Sequence, residues 1–128
     1  MDRAEEKVKR RLVMLLAMVI VGCTRHLERD DIPGAYEFQF DNLKQRITVA
    51  ADGKYTNALY QGEALMWSDE GVWTYEEKQK GVTFAQFRFG VPGHSPRRGY
   101  WFVVPQNTLT GIKQLCFDPD LDRCFRSK

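Results

Sequence analysis

From residue 34 onward, apolar and polar side chains alternate along the chain with a period of two. In the first run, Tyr36, Phe38 and Phe40 are each followed by a polar residue. Similar runs follow, separated by short stretches rich in Gly, Asp, Asn and Pro, the residues that turns require. Because alternate residues of a strand share a face, each run offers one apolar face to a core, and the pattern predicts half-buried strands.

The runs predict eight or nine short strands joined by turns. The strands are expected at residues 34–41, 47–49, 55–60, 62–67, 72–76, 82–89, 100–104, 109–117 and 122–126, and the clearest turns at 51–54, 68–71 and 79–81. The run at 100–104 is apolar on both faces, which is typical of a central strand. The predicted fold is therefore all-β, an antiparallel meander that forms a barrel or a sandwich after an N-terminal signal helix.

The first 22 residues differ from the rest of the chain. Residues 1–11 are charged and net basic, and residues 12–22 form an unbroken apolar run. As a helix this run is about 16 Å long, roughly half the thickness of the hydrocarbon core of a bilayer. It is too short to span a membrane comfortably, and it has the length of the apolar region of a signal peptide.

The apolar run ends in Ile20-Val21-Gly22-Cys23, which resembles the lipobox of bacterial lipoproteins. The resemblance implies that the leader is cut before Cys23 and that fatty acids, palmitate among them, acylate its sulfur and its new amino group. Several acyl chains anchor a protein stably without a spanning helix. The alternative is a buried Cys23 at the end of a signal anchor or of an N-terminal helix.

The residue after the cysteine bears on the final membrane. The resemblance implies that an Asp at this position favours the inner membrane in some bacteria. Thr24 therefore favours the outer membrane, facing the periplasm, over the inner membrane of the bacterial cell envelope. Residues 24–33 are polar and predict a tether. The expected organisation is a lipoprotein signal peptide at 1–22, a lipidated cysteine and tether at 23–33, and a β-barrel-like domain at 34–128.

The positive charge of the chain belongs to its leader. Residues 1–22 hold five Lys and Arg side chains and three acids, which leaves 14 basic and 14 acidic side chains in residues 23–128. Proteins that bind nucleic acids draw most of their affinity from neutralising phosphates with a basic surface. A neutral domain is therefore not expected to bind nucleic acids. Its expected partner is the membrane, to which the lipid anchor attaches it.

Three short motifs of the domain have the layout of lipocalin-like small bacterial lipoproteins. They are Gly34-Ala35-Tyr36, residues 51–55 and Glu70-Gly71-Val72-Trp73. The resemblance covers residues 34–75 and implies a β-barrel, although the first strand carries Tyr36 where lipocalins usually carry Trp. It implies the fold and no particular ligand.

Two further cysteines, Cys116 and Cys124, are separated by seven residues. An exported protein meets an oxidising compartment, in which a pair of this kind forms a disulfide. A bridge between two adjacent strands is geometrically reasonable if the two side chains face each other. The sequence predicts a Cys116–Cys124 disulfide, with two buried free thiols as the alternative.

No residue pattern predicts catalysis, a cofactor or a metal site. No serine lies in a Gly-x-Ser-x-Gly elbow, and no Gly-rich phosphate loop is present. The two histidines, His26 and His94, are far apart and come without a Cys-x-x-Cys motif, so zinc is not expected. We therefore expect the domain not to be an enzyme.

Carboxylates occur in three clusters. Asp118, Asp120 and Asp122 resemble the start of a calcium loop, but Arg123 occupies the position at which such a loop needs Gly. The adjacent pairs at residues 69–70 and 76–77 point to opposite faces of a strand, whereas a glycosidase needs two carboxylates across a cleft. All three clusters are expected to be turn residues exposed to solvent.

The longest predicted loop spans residues 90–99. It holds His94, Arg97 and Arg98, and Trp101 follows it closely. Loops on rigid scaffolds often carry function, and these four residues could offer a cationic rim to an anionic group or a protein partner. The alternative is an ordinary exposed turn.

These features leave two functional hypotheses. The first is a lipid-anchored module that holds a small apolar ligand or docks an envelope protein. A cavity lined by Trp73, Phe84 and Phe102 would favour a ligand, and a filled interior would favour protein docking. The alternative is an envelope inhibitor or immunity-type lipoprotein that acts on a hydrolase.

Overall fold

The computed structural model describes residues 26–92, 94–95 and 97–128. The predicted signal peptide, with its predicted helix, and the predicted lipidation site Cys23 lie outside the described residues. Among those that are described, helix is limited to 3-10 turns such as Arg29–Asp31 and Pro119–Leu121. No helix in this part of the chain is long and apolar enough to cross a membrane.

The described chain forms nine antiparallel strands in one sheet, which confirms the predicted all-β meander. The strands are β1 (Gly34–Phe40), β2 (Leu43–Val49), β3 (Lys54–Gln61), β4 (Ala64–Glu76), β5 (Gly81–Phe87), β6 (Gly99–Val103), β7 (Gln106–Asn107), β8 (Lys113–Asp118) and β9 (Arg123–Ser127). Their order across the sheet is β6-β5-β4-β3-β2-β1-β9-β8-β7. The sheet curls into a half-barrel, and Val104 and Pro105 directly join its two edge strands, β6 and β7.

The inner face of the half-barrel holds the hydrophobic core. Its positions are alternate residues of each strand, as the period of two predicts. The core includes Tyr36, Ile47, Val49, Tyr55, Trp73, Val82, Phe84, Leu115 and Phe125, all almost fully buried. Rings from neighbouring strands touch within it; the Phe84 ring lies 5.2 Å from that of Tyr55 between centroids, at nearly a right angle. The apolar faces thus meet in one continuous core.

β4 is a single strand of 13 residues, so the turn predicted at 68–71 is wrong. Asp69 and Gly71 occupy inner-face positions of this strand, in register with Asn57 and Tyr55 of β3. A Cβ added to Gly71 would lie 2.5 Å from the Tyr55 ring, so the missing side chain makes room for that ring. Turn-forming residues are accommodated in the strand because Asp69 pairs with two arginines, described below, and Gly71 leaves space.

β6 lies at the edge of the sheet, so the prediction of a central strand at 100–104 is also wrong. Its inner residues Trp101 and Val103 pack on the core, whereas its outer residues Tyr100 and Phe102 are 83% and 45% exposed. β6 pairs only with β5, because the chain continues into β7, which pairs with β8. Whether a strand has one neighbour or two depends on the path of the whole chain, and the local composition of the strand does not determine that path.

The segment before β1, predicted as a tether, is packed against the half-barrel from Leu27 onward. Leu27 and Ile32 belong to the core and are buried. Two tyrosines of the sheet donate hydrogen bonds to its backbone carbonyls: Tyr75 to Leu27, at 2.9 Å, and Tyr36 to Ile32, at 2.5 Å. Two apolar residues in an otherwise polar segment therefore attach it to one end of the half-barrel.

The two ends of the half-barrel differ in what they carry. The base holds the Leu27–Pro33 segment and the β2–β3, β4–β5 and β7–β8 turns, and the top holds the β1–β2, β3–β4 and β8–β9 turns and the segment between β5 and β6. The β7–β8 turn comprises residues 108–112, so the strand predicted from residue 109 begins only at Lys113.

The predicted disulfide is present. Cys116 of β8 and Cys124 of β9 are directly opposite each other, with their Cα atoms 3.9 Å apart and their sulfur atoms bonded. The turn between the two strands begins with Pro119 and ends at Asp122, which adopts the left-handed conformation with φ of 53°. The bridge closes this hairpin at the top of the half-barrel.

Replacing both Cys116 and Cys124 with Ser should lower the free energy of unfolding by about 2.5 kcal/mol, the value that the loop-entropy model assigns to a nine-residue loop. The measurement is urea denaturation of the double variant and the parent protein without reductant. Reduction of the parent protein should produce a similar loss. Equal midpoints for the oxidised and reduced parent would contradict the prediction.

Candidate functional site

Aromatic side chains fill the interior of the half-barrel. The Phe87 ring lies 4.8 Å from that of Trp101 and 4.9 Å from that of Phe89, between centroids. Phe84 stacks on Trp101 at 5.4 Å, and Phe125 lies 5.8 Å from the same ring. These rings bring β5, β6 and β9 together across the inner face and occupy the space that a ligand would need.

The three residues expected to line a ligand cavity do not face a common space. Trp73 and Phe84 are buried in the core, whereas Phe102 is on the outer face and lies over Gly81. An open hollow of about 440 Å³ lies on the sheet beside β2, β3 and β4 instead; residues lining it are Thr48, Ala50, Lys54, Thr56, Glu70 and Val72. These six are exposed, and the lining also includes Gly71 and the buried Tyr55. The hollow is therefore open to the surface of the sheet.

A buried carboxylate near the top organises the polar part of the interior. Both oxygens of Asp69 accept hydrogen bonds from Arg88, at 2.6 and 3.0 Å, and Oδ1 also accepts one from Arg98 at 2.9 Å. The Arg88 guanidinium lies 3.9 Å from the centroid of the Trp67 ring. The expectation that Asp69 is a solvated turn charge is therefore wrong, because the strand points its side chain inward to two arginines.

Two buried amides extend this network. Gln45 Nε2 donates to Asn57 Oδ1 at 2.8 Å, and the amides of both residues donate to the carbonyl oxygen of Arg88, at 3.0 and 2.9 Å. Gln45 Oε1 in turn accepts from the backbone N–H of Gly90 at 2.9 Å. We refer to Gln45, Asn57, Asp69, Arg88 and Arg98 as the polar cluster. It holds the chain that leaves β5 against β2, β3 and β4.

The sequence analysis did not identify Gln45, Asn57 or Arg88. The sequence did contain an indication of this cluster. Gln45 and Asn57 each stand two residues from apolar residues on either side, so the alternation places both on the inner face. Every buried side-chain nitrogen and oxygen of the described residues has a hydrogen-bond partner. The buried atoms of the polar cluster thus form a satisfied structural network.

The four residues of the predicted contact loop have different environments. The His94 ring lies between those of Phe89 and Phe117, 5.1 and 5.2 Å away, and Trp101 belongs to the core. Arg98 is half-exposed and paired with Asp69. Arg97 is exposed, and its backbone N–H donates to Ser95 Oγ at 3.3 Å. A cationic rim formed by these residues stays a prediction.

The predicted acidic turn has an ordinary structural role. Asp118 ends β8, and Asp122 forms an ion pair of 3.1 Å with Arg126. Across residues 26–92, 94–95 and 97–128, no group of three or more His, Cys, Asp or Glu side chains is arranged to hold a metal ion.

Two buried tyrosines, Tyr36 and Tyr55, have raised pKa values. Burial, together with the negative charge of Asp31, raises the pKa of Tyr36 from 10 to about 12. Burial and the Asp69 carboxylate raise the pKa of Tyr55 to about 12, where its hydroxyl donates to the carbonyl of Ala85. Both hydroxyl groups act as neutral hydrogen-bond donors that join the ends of the core to neighbouring backbone.

Stability should fall in alkaline solution as these tyrosines are forced to ionise. In the unfolded chain they lose their protons near pH 10, whereas in the folded protein they hold them to about pH 12. Because the folded state binds the protons more tightly, the free energy of unfolding is constant below about pH 10 and falls as the pH rises toward about 12. Urea midpoints across this range, read with tyrosinate absorbance, test this. A midpoint that does not change would contradict it.

Comparisons with known proteins add no further guide. No protein-family model matches the chain. No curated protein and no solved structure is significantly similar to it. The functional interpretation therefore depends on the geometry of the described residues and on the pattern of the leader.

Proposed function

We propose that this protein is a lipid-anchored bacterial envelope protein whose β-domain docks a partner protein and is neither an enzyme nor a carrier of a small ligand. The observation that carries the docking part is the filled interior. Phe84, Phe87, Trp101 and Phe125 occupy the inside of the half-barrel with mutual ring contacts. Small barrels filled by their own side chains have no room for an apolar ligand.

The anchoring part of the proposal is supported by the leader. A basic stretch at 1–11, an apolar run at 12–22 and Gly22-Cys23 at its end have the order of a lipoprotein signal peptide. The disulfide between Cys116 and Cys124 supports an oxidising compartment such as the periplasm. The outer membrane remains the favoured final location because Thr24 follows the cysteine.

The docking surface that we favour is the top of the half-barrel. Leu65 and Met66 begin β4 there, and both side chains are more than half exposed. Arg97 is exposed in the segment between β5 and β6 at the same end. Met and Arg are enriched in protein interfaces. If Cys23 is the anchor, this end points away from the membrane, where a soluble or membrane-bound partner can reach it.

The anchor is tested by labelling the full chain with radioactive palmitate in a bacterial host. We expect the label on the parent protein and none on a Cys23→Ala variant, because the lipidated sulfur and amino group both belong to that residue. A Cys116→Ser, Cys124→Ser variant is the matched control and should still be labelled. Equal labelling of the Cys23→Ala variant, or no labelling of the parent, would refute the anchor.

Docking is tested by placing a photo-crosslinking amino acid at Met66 in the full chain and, as a control, at the exposed outer position Thr74. We expect a defined protein adduct from position 66 and little from position 74. If that adduct is a hydrolase whose activity the purified protein blocks, the inhibitor function is the correct one. Equal adducts from both positions, or saturable binding of an apolar fluorescent probe, would contradict docking at the top.

A further inference from the structure

We propose that the base of the half-barrel rests on the lipid bilayer and that the β7–β8 turn, residues 108–112, enters the headgroup region with Leu109 leading. The partner is a phospholipid surface, and the contact is made mainly by apolar side chains. This proposal rests on the lipid anchor at Cys23 and adds the orientation of the domain and the surface that touches the membrane.

Only a short length of chain joins the proposed anchor to the folded domain. Leu27 is buried, and its carbonyl accepts a hydrogen bond from Tyr75, so the folded domain begins there. Cys23 is only four residues earlier, which allows a reach of at most about 14 Å. The headgroup layer is itself roughly 5–8 Å thick on each side. A lipidated Cys23 therefore holds the base of the half-barrel at the bilayer surface.

The β7–β8 turn, which lies at that base, exposes two apolar side chains. Leu109 is 85% exposed and Ile112 is 39% exposed. β7 pairs with the beginning of β8, Asn107 opposite Lys113, so the turn continues the hairpin past its last paired residues. Transfer of an apolar side chain at such a tip from water to the boundary of the acyl chains is favourable.

Several backbone groups of the β7–β8 turn are paired within the turn itself. The N–H of Thr108 donates to the carbonyl of Ile112 at 2.9 Å, and the N–H of Gly111 donates to the carbonyl of Thr108 at 3.0 Å. The N–H of Ile112 donates to Thr108 Oγ1 at 3.0 Å, and that hydroxyl is 3.1 Å from Thr110 Oγ1. Unpaired backbone groups oppose entry into an apolar phase, and several groups of this turn are already paired.

The charged side chains near the base determine whether the membrane contact needs anionic lipids. Lys80 is paired with Glu28 at 3.3 Å and with Glu77 at 3.2 Å. Lys113 Nζ donates to the backbone carbonyls of Asp31 and Pro33, at 2.6 and 3.3 Å. Arg29, Lys54 and Lys78 also lie at the base, but acidic residues of the same end, Asp30, Asp52 and Glu76, offset their charge. The contact therefore does not require anionic lipids, and a zwitterionic bilayer is a sufficient partner.

The test uses the full chain, processed in a bacterial host and reconstituted into phosphatidylcholine vesicles. One variant carries Leu109→Trp at the base and a matched variant carries Leu121→Trp, a 61% exposed position in the β8–β9 turn at the top. Brominated phosphatidylcholine quenches tryptophan within the bilayer. After subtraction of the parent signal, we expect Leu109→Trp to lose about half of its added fluorescence in brominated vesicles and Leu121→Trp to lose almost none.

The mass of the protein in the same vesicles separates the two proposals. A mass without fatty acids refutes the anchor itself. A lipidated protein in which Leu109→Trp is quenched no more than Leu121→Trp overturns the membrane contact while the anchor stands. A blue-shifted Leu109→Trp spectrum without quenching also overturns it, because the turn is then covered by protein. Unchanged circular dichroism of both variants establishes that each is folded.

Discussion

Replacing Phe84 with Ala should lower the free energy of unfolding by about 3–5 kcal/mol, the usual cost of removing a buried phenyl ring. Phe84 is completely buried in β5. Its ring contacts those of Tyr55, Phe87 and Trp101 at centroid distances of 5.2, 5.8 and 5.4 Å. The variant leaves a cavity among three rings, which cannot collapse without shifting two strands. Urea denaturation at neutral pH measures the loss.

The matched control is Phe102→Ala in the adjacent strand β6. Phe102 is the same residue type, but it is on the outer face and nearly half exposed, so its loss should cost only about 1 kcal/mol. If the two variants were destabilised equally, Phe84 would not occupy the centre of a filled interior. That result would also weaken the argument for protein docking over ligand binding.

Replacing Asp69 with Asn should cost about 3 kcal/mol of stability, because it removes one partner of a largely buried ion pair and leaves the other uncompensated. Arg88 is mostly buried and bonds both Asp69 oxygens, and an amide can accept at only one of these positions. We also expect the segment after β5 to loosen, since Arg98 loses the same partner. Denaturation gives the first effect and hydrogen exchange of residues 88–98 gives the second.

The control for this variant is Glu77→Gln. Glu77 forms an ion pair with Lys80 at 3.2 Å, but its side chain is mostly exposed, so the change should cost less than about 1 kcal/mol. Exchange of residues 88–98 should be the same as in the parent protein. A cost for Asp69→Asn as small as that for Glu77→Gln would show that water screens the Asp69 pair as well.

Much of the fold could be predicted from the sequence because the strand signal is local. Tyr36, Phe38 and Phe40 alternate with polar residues, and this pattern places a strand and its inner face without knowledge of the rest of the chain. The disulfide was predictable for a related reason, since Cys116 and Cys124 lie on either side of a short turn and antiparallel pairing brings them opposite each other.

The errors concern residues whose environment is supplied by distant parts of the chain. Ser68 to Gly71 have turn composition, yet β4 passes through them because Arg88 and Arg98, far along the chain, bind Asp69. Gln45 and Asn57 are polar residues at positions where the alternation predicts apolar ones. Only the folded sheet shows that both side chains donate to the carbonyl of Arg88. Polar residues at inner-face positions of the predicted strands could therefore have indicated a buried polar cluster.

The sequence by itself determined the number of strands to within one, the inner faces, the disulfide and the expectation of a lipid anchor. These follow from spacing along the chain, which is local information. Only the tertiary structure decided that β6 is an edge strand, that Leu27 and Ile32 join the core, and that aromatic rings fill the interior. Edges, burial and cavities depend on which distant segments meet, and that is a property of the whole folded chain. For Cys23, the consequence is specific: if it is the anchor, only three residues lie between it and Leu27, where the folded domain begins.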